Sequence, residues 1–457
     1  MTLRWIAGCL MFFIVAAPLR AEQDIDRLTK QFQTAIGQDN ATGVAALFQA
    51  LTEASAKADT SPQFVIRRPM EMLVNDISDA IVKYASPEAQ KAIQNSLPRA
   101  APGAAAAVCF GLRAAPANPE TDTVALKMLS SGADYRVKTS VMDLMAAHKF
   151  TSAVEKIIPF LSVSEILPVQ ISACRALAQI PDKAAIPALL KYMQAVKAKG
   201  GGRMVYESTA ALRAISGQKF IADFSTWNDW WSKNEKTFEA ELSKAAPPEF
   251  NYELKDQSDL SYYEIPLFEN RIIFVLDVSG SMKFGGTPNR MDKAKTELSS
   301  IIGRLSDKQY FNILTFSMDV DRWQTAAGLV QATEKNKTAA KAFLDAQKPK
   351  TGTMTTTAME ETLRQIAAQT ACETIFLVSD GMPSPWRRDI KTEQQSRQIG
   401  WMNLPLKVRI NTIGIYTRGG NETVAEDTEQ MKKFLQEIAA RNDGVYKEVG
   451  APAAPAK

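Results

Sequence analysis

The stretch that decides the fold is Arg271–Met282, which reads RIIFVLDVSGSM. Its first half, from Ile272 to Leu276, is an unbroken apolar run, as expected for a strand that is buried on both faces of a parallel sheet. Its second half places Asp277, Ser279 and Ser281 at alternate positions, so their side chains can turn to one side. The stretch therefore predicts a central strand that ends in a cluster of oxygen atoms.

Outward from this strand, strand-like and helix-like segments alternate towards the end of the chain. We predict strands from short apolar runs and helices from apolar residues spaced three and four apart. The predicted strands are Arg271–Leu276, Phe311–Phe316, Thr374–Ser379, Val408–Tyr416 and Val445–Val449, and the predicted helices are Asp292–Leu305, Thr338–Gln347, Thr355–Ala368 and Thr428–Arg441. This alternation indicates a doubly wound, Rossmann-like α/β sheet, in which ligands bind beyond the carboxyl ends of the strands.

Two further loops at strand ends carry oxygen-bearing side chains. Thr353 stands in KTGTMTTTAM, just before a predicted helix, and Asp380 stands in VSDG, at the end of a predicted strand. With Asp277, Ser279 and Ser281 they offer two carboxylates and three hydroxyls, and no sulfur or imidazole. Such donors suit Mg²⁺, with Mn²⁺ as the alternative, because both ions prefer octahedral oxygen coordination.

These motifs resemble a known family. FVLDVSGSM, TGTMT and FLVSDG look like the metal-ion-dependent adhesion site of von Willebrand factor type A domains, and the later segments NTIGIY and FLQEIAARNDGVYKEV are also similar to that family. The resemblance implies a type A domain at residues 270–449. A single Asp-x-Ser-x-Ser motif is only moderately specific, whereas the motif with a correctly placed Thr and Asp in an α/β order is strong.

The resemblance also implies a role for each of the five residues. Ser279 and Ser281 would bind the metal directly through their hydroxyls, Thr353 directly or through water, and Asp277 and Asp380 mostly through water and hydrogen bonds. A metal whose carboxylates lie behind water keeps positive charge towards an open position, so an external carboxylate can complete the octahedron. The predicted partner is therefore a protein that presents Asp or Glu.

The part of the chain before the sheet has the sequence pattern of paired helices. Between residues 105 and 240, apolar positions recur after 32 to 35 residues, and Gln170–Leu190 (QISACRALAQIPDKAAIPALL) resembles HEAT repeats. WNDWW at 227–231 looks like a closing helix with its tryptophans packed inward. We therefore predict an N-terminal HEAT-like α-solenoid, a fold that offers an extended concave surface to peptides or proteins. The remaining predicted segments are a helical region at 22–104, a linker at 241–269 and a flexible tail at 450–457.

The first 21 residues have the features of a secretory signal peptide. Arg4 precedes an apolar run from Trp5 to Ala17, and Pro18 and Ala21 stand before the predicted cleavage site. The run is roughly 13 residues long, whereas a membrane-spanning helix needs about 20, so we favour a cleaved signal over an uncleaved anchor. The chain is therefore predicted to be exported, periplasmic or extracellular, with no stable membrane span after cleavage.

Composition excludes several other classes of protein. A formal charge of +4 on 457 residues is too small to indicate a nucleic-acid partner. His148 is the only histidine, which excludes a zinc site with two imidazoles, and we predict that it lies on a helix surface or at a helix end. Cys109, Cys174 and Cys372 are too widely spaced for a zinc motif and are predicted to be buried thiols, with a Cys109–Cys174 disulfide as the alternative.

The sequence thus predicts an exported, non-enzymatic adhesion or scaffold protein that holds a protein ligand through Mg²⁺. Two alternatives remain open. A metal-dependent hydrolase would need a general base near the metal, and the sequence nominates no catalytic residue beyond the ligands themselves. An adaptor subunit for a partner ATPase is disfavoured by the export signal.

Overall fold

The computed structural model describes residues 22–61, 63–240, 260–324, 328–369, 371–381, 383–384, 391–416 and 425–450. These residues form two compact units. The first contains residues 22 to Pro159, the segment Arg175–Ala185 and residues 239–240, and the second contains Phe160–Cys174, Ile186–Phe238 and the described residues from 260 onward. The units do not coincide with the limits predicted at 104, 240 and 270, which stay predictions.

The first unit is helical. Several of its helices begin where a polar side chain accepts a hydrogen bond from a backbone N–H group of the first turn, as Asn40, Ser86, Asn118 and Asp134 do. Its helices are α1 (22–36), α2 (Ala41–Thr60), α3 (Phe64–Ala80), α4 (Pro87–Ser96), α5 (Pro102–Leu112), α6 (Pro119–Lys127), α7 (Tyr135–Ala147) and α8 (Val154–Ile157). Their apolar faces form a core, and α5 is so apolar that all its residues from Ala104 to Leu112 are buried.

His148 lies at the carboxyl end of α7, one of the two positions predicted for it. Its ring is buried: Nδ1 lies 2.8 Å from Asp122 Oδ1, and Nε2 lies 3.0 Å and 3.2 Å from the carbonyl oxygens of Leu112 and Ala115. An ionised Asp122 and the two carbonyl oxygens all accept hydrogen bonds, an arrangement that favours the charged imidazolium, in which both ring nitrogens donate. Hydrogen bonding to Asp122 accordingly raises the pKa of His148 above its usual 6.5.

Helix α9 (Leu167–Gln179) contributes to both units, and the helices α10 (Ala185–Ala198), α11 (Arg203–Ser216) and α12 (Phe224–Asn234) follow it. Apolar residues of α9 and α10 are buried, including Val169, Leu177 and Leu189. In α12, Trp227 and Trp231 are buried, as predicted, while Trp230 is half-buried. The helical character of the N-terminal part is thus confirmed, whereas its assignment to HEAT repeats stays a prediction.

The second unit contains the α/β fold. Its helices are α13 (Arg290–Arg304), α14 (Glu334–Ala346), α15 (Thr355–Gln369), α16 (Thr392–Asn403) and α17 (Ala425–Arg441), and its strands are β1 (Ser261–Tyr262), β2 (Ile265–Pro266), β3 (Arg271–Asp277), β4 (Tyr310–Phe316), β5 (Val320–Arg322), β6 (Val330–Gln331), β7 (Thr374–Ser379), β8 (Arg409–Ile415) and β9 (Tyr446–Val449). In the described residues the main sheet has the order β5-β4-β3-β7-β8-β9, with β6 also paired to β4. The predicted Rossmann-like class is confirmed: β4, β3, β7, β8 and β9 are parallel, and β5 and β6 add short antiparallel pairings to β4 that the sequence analysis missed.

The hairpin of β1 and β2 packs onto this sheet, although it lies within the predicted linker. Tyr262 and Ile265 are almost completely buried in the core beside the sheet. The Tyr262 ring makes edge-to-face contacts with Phe274 and Phe376, at centroid distances of 5.5 Å and 5.4 Å. The end of the predicted linker is therefore part of the packed α/β unit.

A buried polar cluster joins helix α11 to the amino ends of the strands. Arg203, the first residue of α11, pairs with Glu207 and donates from Nη1 to the carbonyl oxygens of Glu373 and Lys407, at 2.9 Å and 2.7 Å. The Arg203 and Glu207 side chains are both fully buried. Because Glu373 and Lys407 precede strands β7 and β8, the helix and the sheet share one hydrogen-bond network.

Three predicted segments lie wholly or partly outside the described residues: the signal peptide at 1–21, most of the linker at 241–269 and most of the tail at 450–457. Cys109, Cys174 and Cys372 are buried and carry free thiols. In the described part of the chain, no helix has both the length and the apolar character needed to cross a membrane.

Candidate functional site

The predicted site residues lie at the carboxyl edge of the sheet. Asp277 is the last residue of β3, and Ser279 and Ser281 follow it in a tight turn. Asp380 follows the last residue of β7, the strand that pairs with β3 in parallel. Because adjacent parallel strands end at the same edge, residues about 100 positions apart in sequence become neighbours.

Hydrogen bonds connect these side chains directly. Ser279 Oγ lies 2.9 Å from Ser281 Oγ, and Ser281 Oγ donates to Asp380 Oδ1 at 2.8 Å. Asp277 accepts from the backbone N–H of Ser279 at 2.7 Å and from the hydroxyl of Ser379 at 2.5 Å, one bond to each carboxylate oxygen. The two carboxylates and two serines therefore have fixed positions relative to one another.

Thr353 reaches the same edge through its own loop. The backbone N–H of Lys350 donates to Val278 O at 2.7 Å, which ties that loop to the turn after β3. A Cβ atom added to Gly381 would lie 3.3 Å from Ser281 Oγ and 3.7 Å from Thr353 Oγ1. The structure thus brings all five predicted residues to one place; that they bind a metal stays a prediction.

The surroundings of Asp277 and Asp380 disfavour the ionised form of both side chains. Burial, and then the neighbouring Asp380, raise the pKa of Asp277 to about 7. Burial also raises the pKa of Asp380, although the guanidinium of Arg290 opposes that effect. Negative charge is therefore concentrated in a poorly hydrated place, where a bound cation would stabilise both carboxylates.

Sequence reasoning missed two residues that hold these carboxylates. Arg290 Nη1 donates to Asp380 Oδ2 at 2.9 Å, and Ser379 donates to Asp277 as described above. A signal for Arg290 exists in the sequence: it is the first residue of α13, where a cation opposes the helix dipole and needs a nearby anion to offset the cost. No comparable signal marks Ser379, which looks like the polar end of a buried strand.

The donor set fits a hard divalent cation. It consists of oxygen atoms alone, and Gly381 leaves open the space between Ser281 and Thr353 that a side chain would fill. Among the residues that the structure describes, no group of three or more His, Cys, Asp or Glu side chains forms a metal cluster. Two carboxylates with three hydroxyls are a different kind of site, in which the ligands are mostly neutral.

Comparison with known proteins finds a family match for the part of the chain that contains this site. Residues 270–447 match the family model described as von Willebrand factor type A domain. The chain carries a type A domain. This finding confirms the resemblance to the type A family, and the matched residues cover the α/β part of the second unit from β3 onward.

Individual relatives cover the type A domain only in part. Inter-alpha-trypsin inhibitor heavy chain H6 of Homo sapiens is 41% identical over 80 residues, which are 18% of this chain and 6% of that protein. The chain therefore spans a small fraction of the length of this curated relative. Among solved structures, a von Willebrand factor type A protein from Catenulispora acidiphila is 21% identical over 41% of this chain and 40% of its own, with a TM-score of 0.33. Manganese-loaded TRAP protein of Plasmodium vivax is 20% identical over 41% of this chain and 66% of its own, with a TM-score of 0.27.

Proposed function

We propose that the type A domain binds another protein through a divalent cation, Mg²⁺ or Mn²⁺, held by Asp277, Ser279, Ser281, Thr353 and Asp380. The observation that carries the proposal is the continuous hydrogen-bond chain from Ser279 through Ser281 to Asp380, with Thr353 beside it. These side chains would hold the ion in a preformed cradle. When bound, the ion would supply a positive centre that accepts a carboxylate oxygen of the partner.

The surface around the site supports a protein as the ligand. Phe284 and Met318 are 51% and 57% exposed, and they are two of the five large apolar side chains that stand out to solvent in the described residues. Phe284 N–H donates to Ser281 O, and Met318 N–H donates to Thr351 O, so each lies next to a loop that carries a candidate ligand. Exposed apolar side chains beside a polar centre are typical of protein-binding surfaces.

The Met318 side chain lies against Gly352. A Cβ atom on Gly352 would meet Met318 Sδ, so a side chain there would have to push the Met318 side chain aside. The φ of Gly352, +85°, also lies in the left-handed region that favours glycine. On the other side, the Lys283 ammonium lies 5.2 Å from the centre of the Phe284 ring. Phe284 and Met318 thus form an apolar rim around the site. The partner surface that fits this rim carries an Asp or Glu with apolar side chains on either side.

We place this function outside the cytoplasm, in the periplasm or the extracellular space, on the sequence of residues 1–21. In that setting the protein would act as an adhesion or scaffold protein and not as an enzyme. N-terminal sequencing of the chain recovered from its native compartment tests cleavage after Ala21. A start at Met1 in cytoplasmic material would contradict this part of the proposal.

The central test is calorimetric titration of the full chain with MgCl₂ and MnCl₂. We expect one ion per chain for the wild type and none for Asp277→Ala. Asp319→Ala is a suitable control because Asp319 is exposed in the loop after β4, and it should bind like the wild type. No uptake by the wild type would contradict the proposal.

Partner capture is tested separately. A pull-down from envelope extract, with Mg²⁺ or with chelator, should recover a protein that is lost with chelator and with Asp277→Ala. Replacing the contacting acid of that partner by its amide should then abolish Mg²⁺-dependent binding. Turnover of phosphoesters by the purified wild type, lost in Asp277→Ala, would instead indicate a hydrolase.

A further inference from the structure

The two oxygens of Asp380 have different partners. Oδ1 accepts from Ser281 Oγ at 2.8 Å, on the side of the candidate ligands, and Oδ2 accepts from Arg290 Nη1 at 2.9 Å. The Arg290 side chain is 12% exposed and that of Asp380 is fully buried, so this ion pair is largely shielded from water. A guanidinium does not lose its proton in proteins, and the positive charge is therefore permanent.

The backbone also fixes Arg290 to the same loop. Its N–H donates to Phe284 O at 2.9 Å, and Phe284 N–H donates to Ser281 O at 3.0 Å. The first turn of α13 is thus connected both to the turn that carries Ser281 and, through the guanidinium, to Asp380. Because the helix amino end itself carries partial positive charge, this position costs free energy for an arginine unless the carboxylate offsets it.

The charge of Arg290 changes the net charge of the candidate site. When both are ionised, Asp277 and Asp380 carry two negative charges, of which Arg290 compensates one, so a divalent cation would then meet only one net negative charge. The site with its ion would then keep one net positive charge, which one carboxylate from outside would bring to zero. At partly buried sites such charge differences matter because water screens them weakly.

We propose that Arg290 is a positioning residue that also weakens the intrinsic affinity of the site for its divalent cation, so that the ion and an external carboxylate bind cooperatively. The inference rests on the proposed function, since it concerns the same metal site. It assigns to Arg290 two separable effects: the planar guanidinium orients Asp380, and its charge repels the ion. The chain would thereby hold metal tightly only while a partner's carboxylate is present.

The test measures metal affinity by calorimetric titration of the full chain with MnCl₂, without and with acetate as the carboxylate probe. Arg290→Gln removes the charge and keeps a hydrogen-bond donor. We expect it to bind Mn²⁺ at least tenfold more tightly than the wild type, which corresponds to about 1.4 kcal/mol. Acetate should raise the Mn²⁺ affinity of the wild type severalfold, and raise that of Arg290→Gln less.

Arg290→Lys is the matched control, because it keeps the charge and loses the planar donor. Its Mn²⁺ affinity should not exceed that of the wild type, and should be lower by no more than about threefold because Asp380 is less well oriented. Thermal unfolding without metal establishes that each variant is folded. If Arg290→Gln does not fold, Arg290→Lys still tests the inference, because a Mn²⁺ affinity of Arg290→Lys tenfold above that of the wild type would contradict a role of the charge. Equal or weaker Mn²⁺ binding by Arg290→Gln would overturn the inference alone. No uptake by any of the three proteins would overturn the proposed function and the inference together.

Discussion

Arg203 Nη1 lies 2.9 Å from the carbonyl oxygen of Glu373, although the two residues are 170 positions apart in the chain. Arg203 begins helix α11, and Glu373 directly precedes β7, the strand whose last residue, Ser379, is followed by Asp380. The same arginine pairs with Glu207 in a fully buried ion pair. A helix that the sequence assigns to the repeat region is thus connected to the strand that carries a candidate ligand.

The first prediction concerns this connection. Arg203→Ala should lower the free energy of unfolding by about 3–5 kcal/mol, because it leaves the Glu207 carboxylate buried without its cation. Urea denaturation followed by tryptophan fluorescence measures the change. Lys199→Ala, an exposed lysine four residues earlier, should stay within about 0.5 kcal/mol of the wild type. Equal stability of Arg203→Ala and Lys199→Ala would contradict a structural role of the buried pair.

The second prediction concerns pH and Glu373. Burial raises the pKa of this carboxyl to about 7 from 4.5, so the folded chain binds its proton more tightly than the unfolded chain. Its contribution is therefore most favourable below pH 4.5 and is lost as pH rises to about 7, at a total cost of roughly 3 kcal/mol. Glu373→Gln should remove this dependence and be more stable than the wild type at pH 8.

Urea midpoints between pH 4.5 and 8 measure the effect, with the exposed Glu235→Gln as control. A Glu373→Gln protein whose stability follows the wild-type pH profile would show that Glu373 is already ionised in the folded state across this range.

The local parts of this structure could be predicted from sequence. The apolar runs of β3 and β7 and the alternation of Asp277, Ser279 and Ser281 are properties of a few consecutive residues. Since the ends of parallel strands meet at one edge, the same reasoning correctly placed Asp380 beside Ser281.

The remaining parts of the structure depend on contacts between distant residues, which produce no periodic pattern in the sequence. Strands β5 and β6 have three and two residues, too short for an alternating pattern. Arg290 and Arg203 are ordinary charged residues at helix starts, and only the folded chain reveals the carboxylate or carbonyl that each one meets. For such residues, an unfavourable position relative to the helix dipole is the best available signal.

The third prediction concerns His148. Its hydrogen bond to Asp122 should hold the pKa of the imidazole above 6.5 in the folded chain. The stabilisation is fully present below pH 6.5 and is lost as pH rises through the folded pKa. Because the chain has one histidine, NMR of an untagged protein with labelled histidine gives a single titration curve. Asp122→Asn should lower the measured pKa; an unchanged curve would contradict the ion pair.

The fourth prediction tests the space at the candidate metal site. Gly381→Ala should weaken Mn²⁺ binding severalfold, because the added methyl group would lie 3.3 Å from Ser281 Oγ and displace that hydroxyl. Gly132→Ala is the matched control, since nothing lies within 4 Å of its added methyl group. Calorimetry measures the affinities, and thermal unfolding should confirm that both variants stay folded. Mn²⁺ affinity equal to that of the wild type in Gly381→Ala would argue against a site between Ser281 and Thr353.

The fifth prediction separates the metal from the apolar rim. Phe284→Ser and Met318→Ser should each weaken binding of the partner recovered in the chelator-sensitive pull-down by about tenfold, because burial of one large apolar side chain contributes about 1.5–3 kcal/mol. Neither change should alter Mn²⁺ affinity, since neither side chain offers an oxygen ligand.

Ile221→Ser is the matched control, because Ile221 is 57% exposed, as Met318 is, and lies in the helical part of the chain. Partner binding that is lost equally in all three variants would indicate general damage to the protein. Partner binding that survives in Phe284→Ser and Met318→Ser, but not in Asp277→Ala, would restrict recognition to the metal and its carboxylate. A partner whose acid is flanked by apolar side chains is supported only if Phe284→Ser and Met318→Ser lose partner binding and keep Mn²⁺ uptake, while Ile221→Ser binds the partner like the wild type.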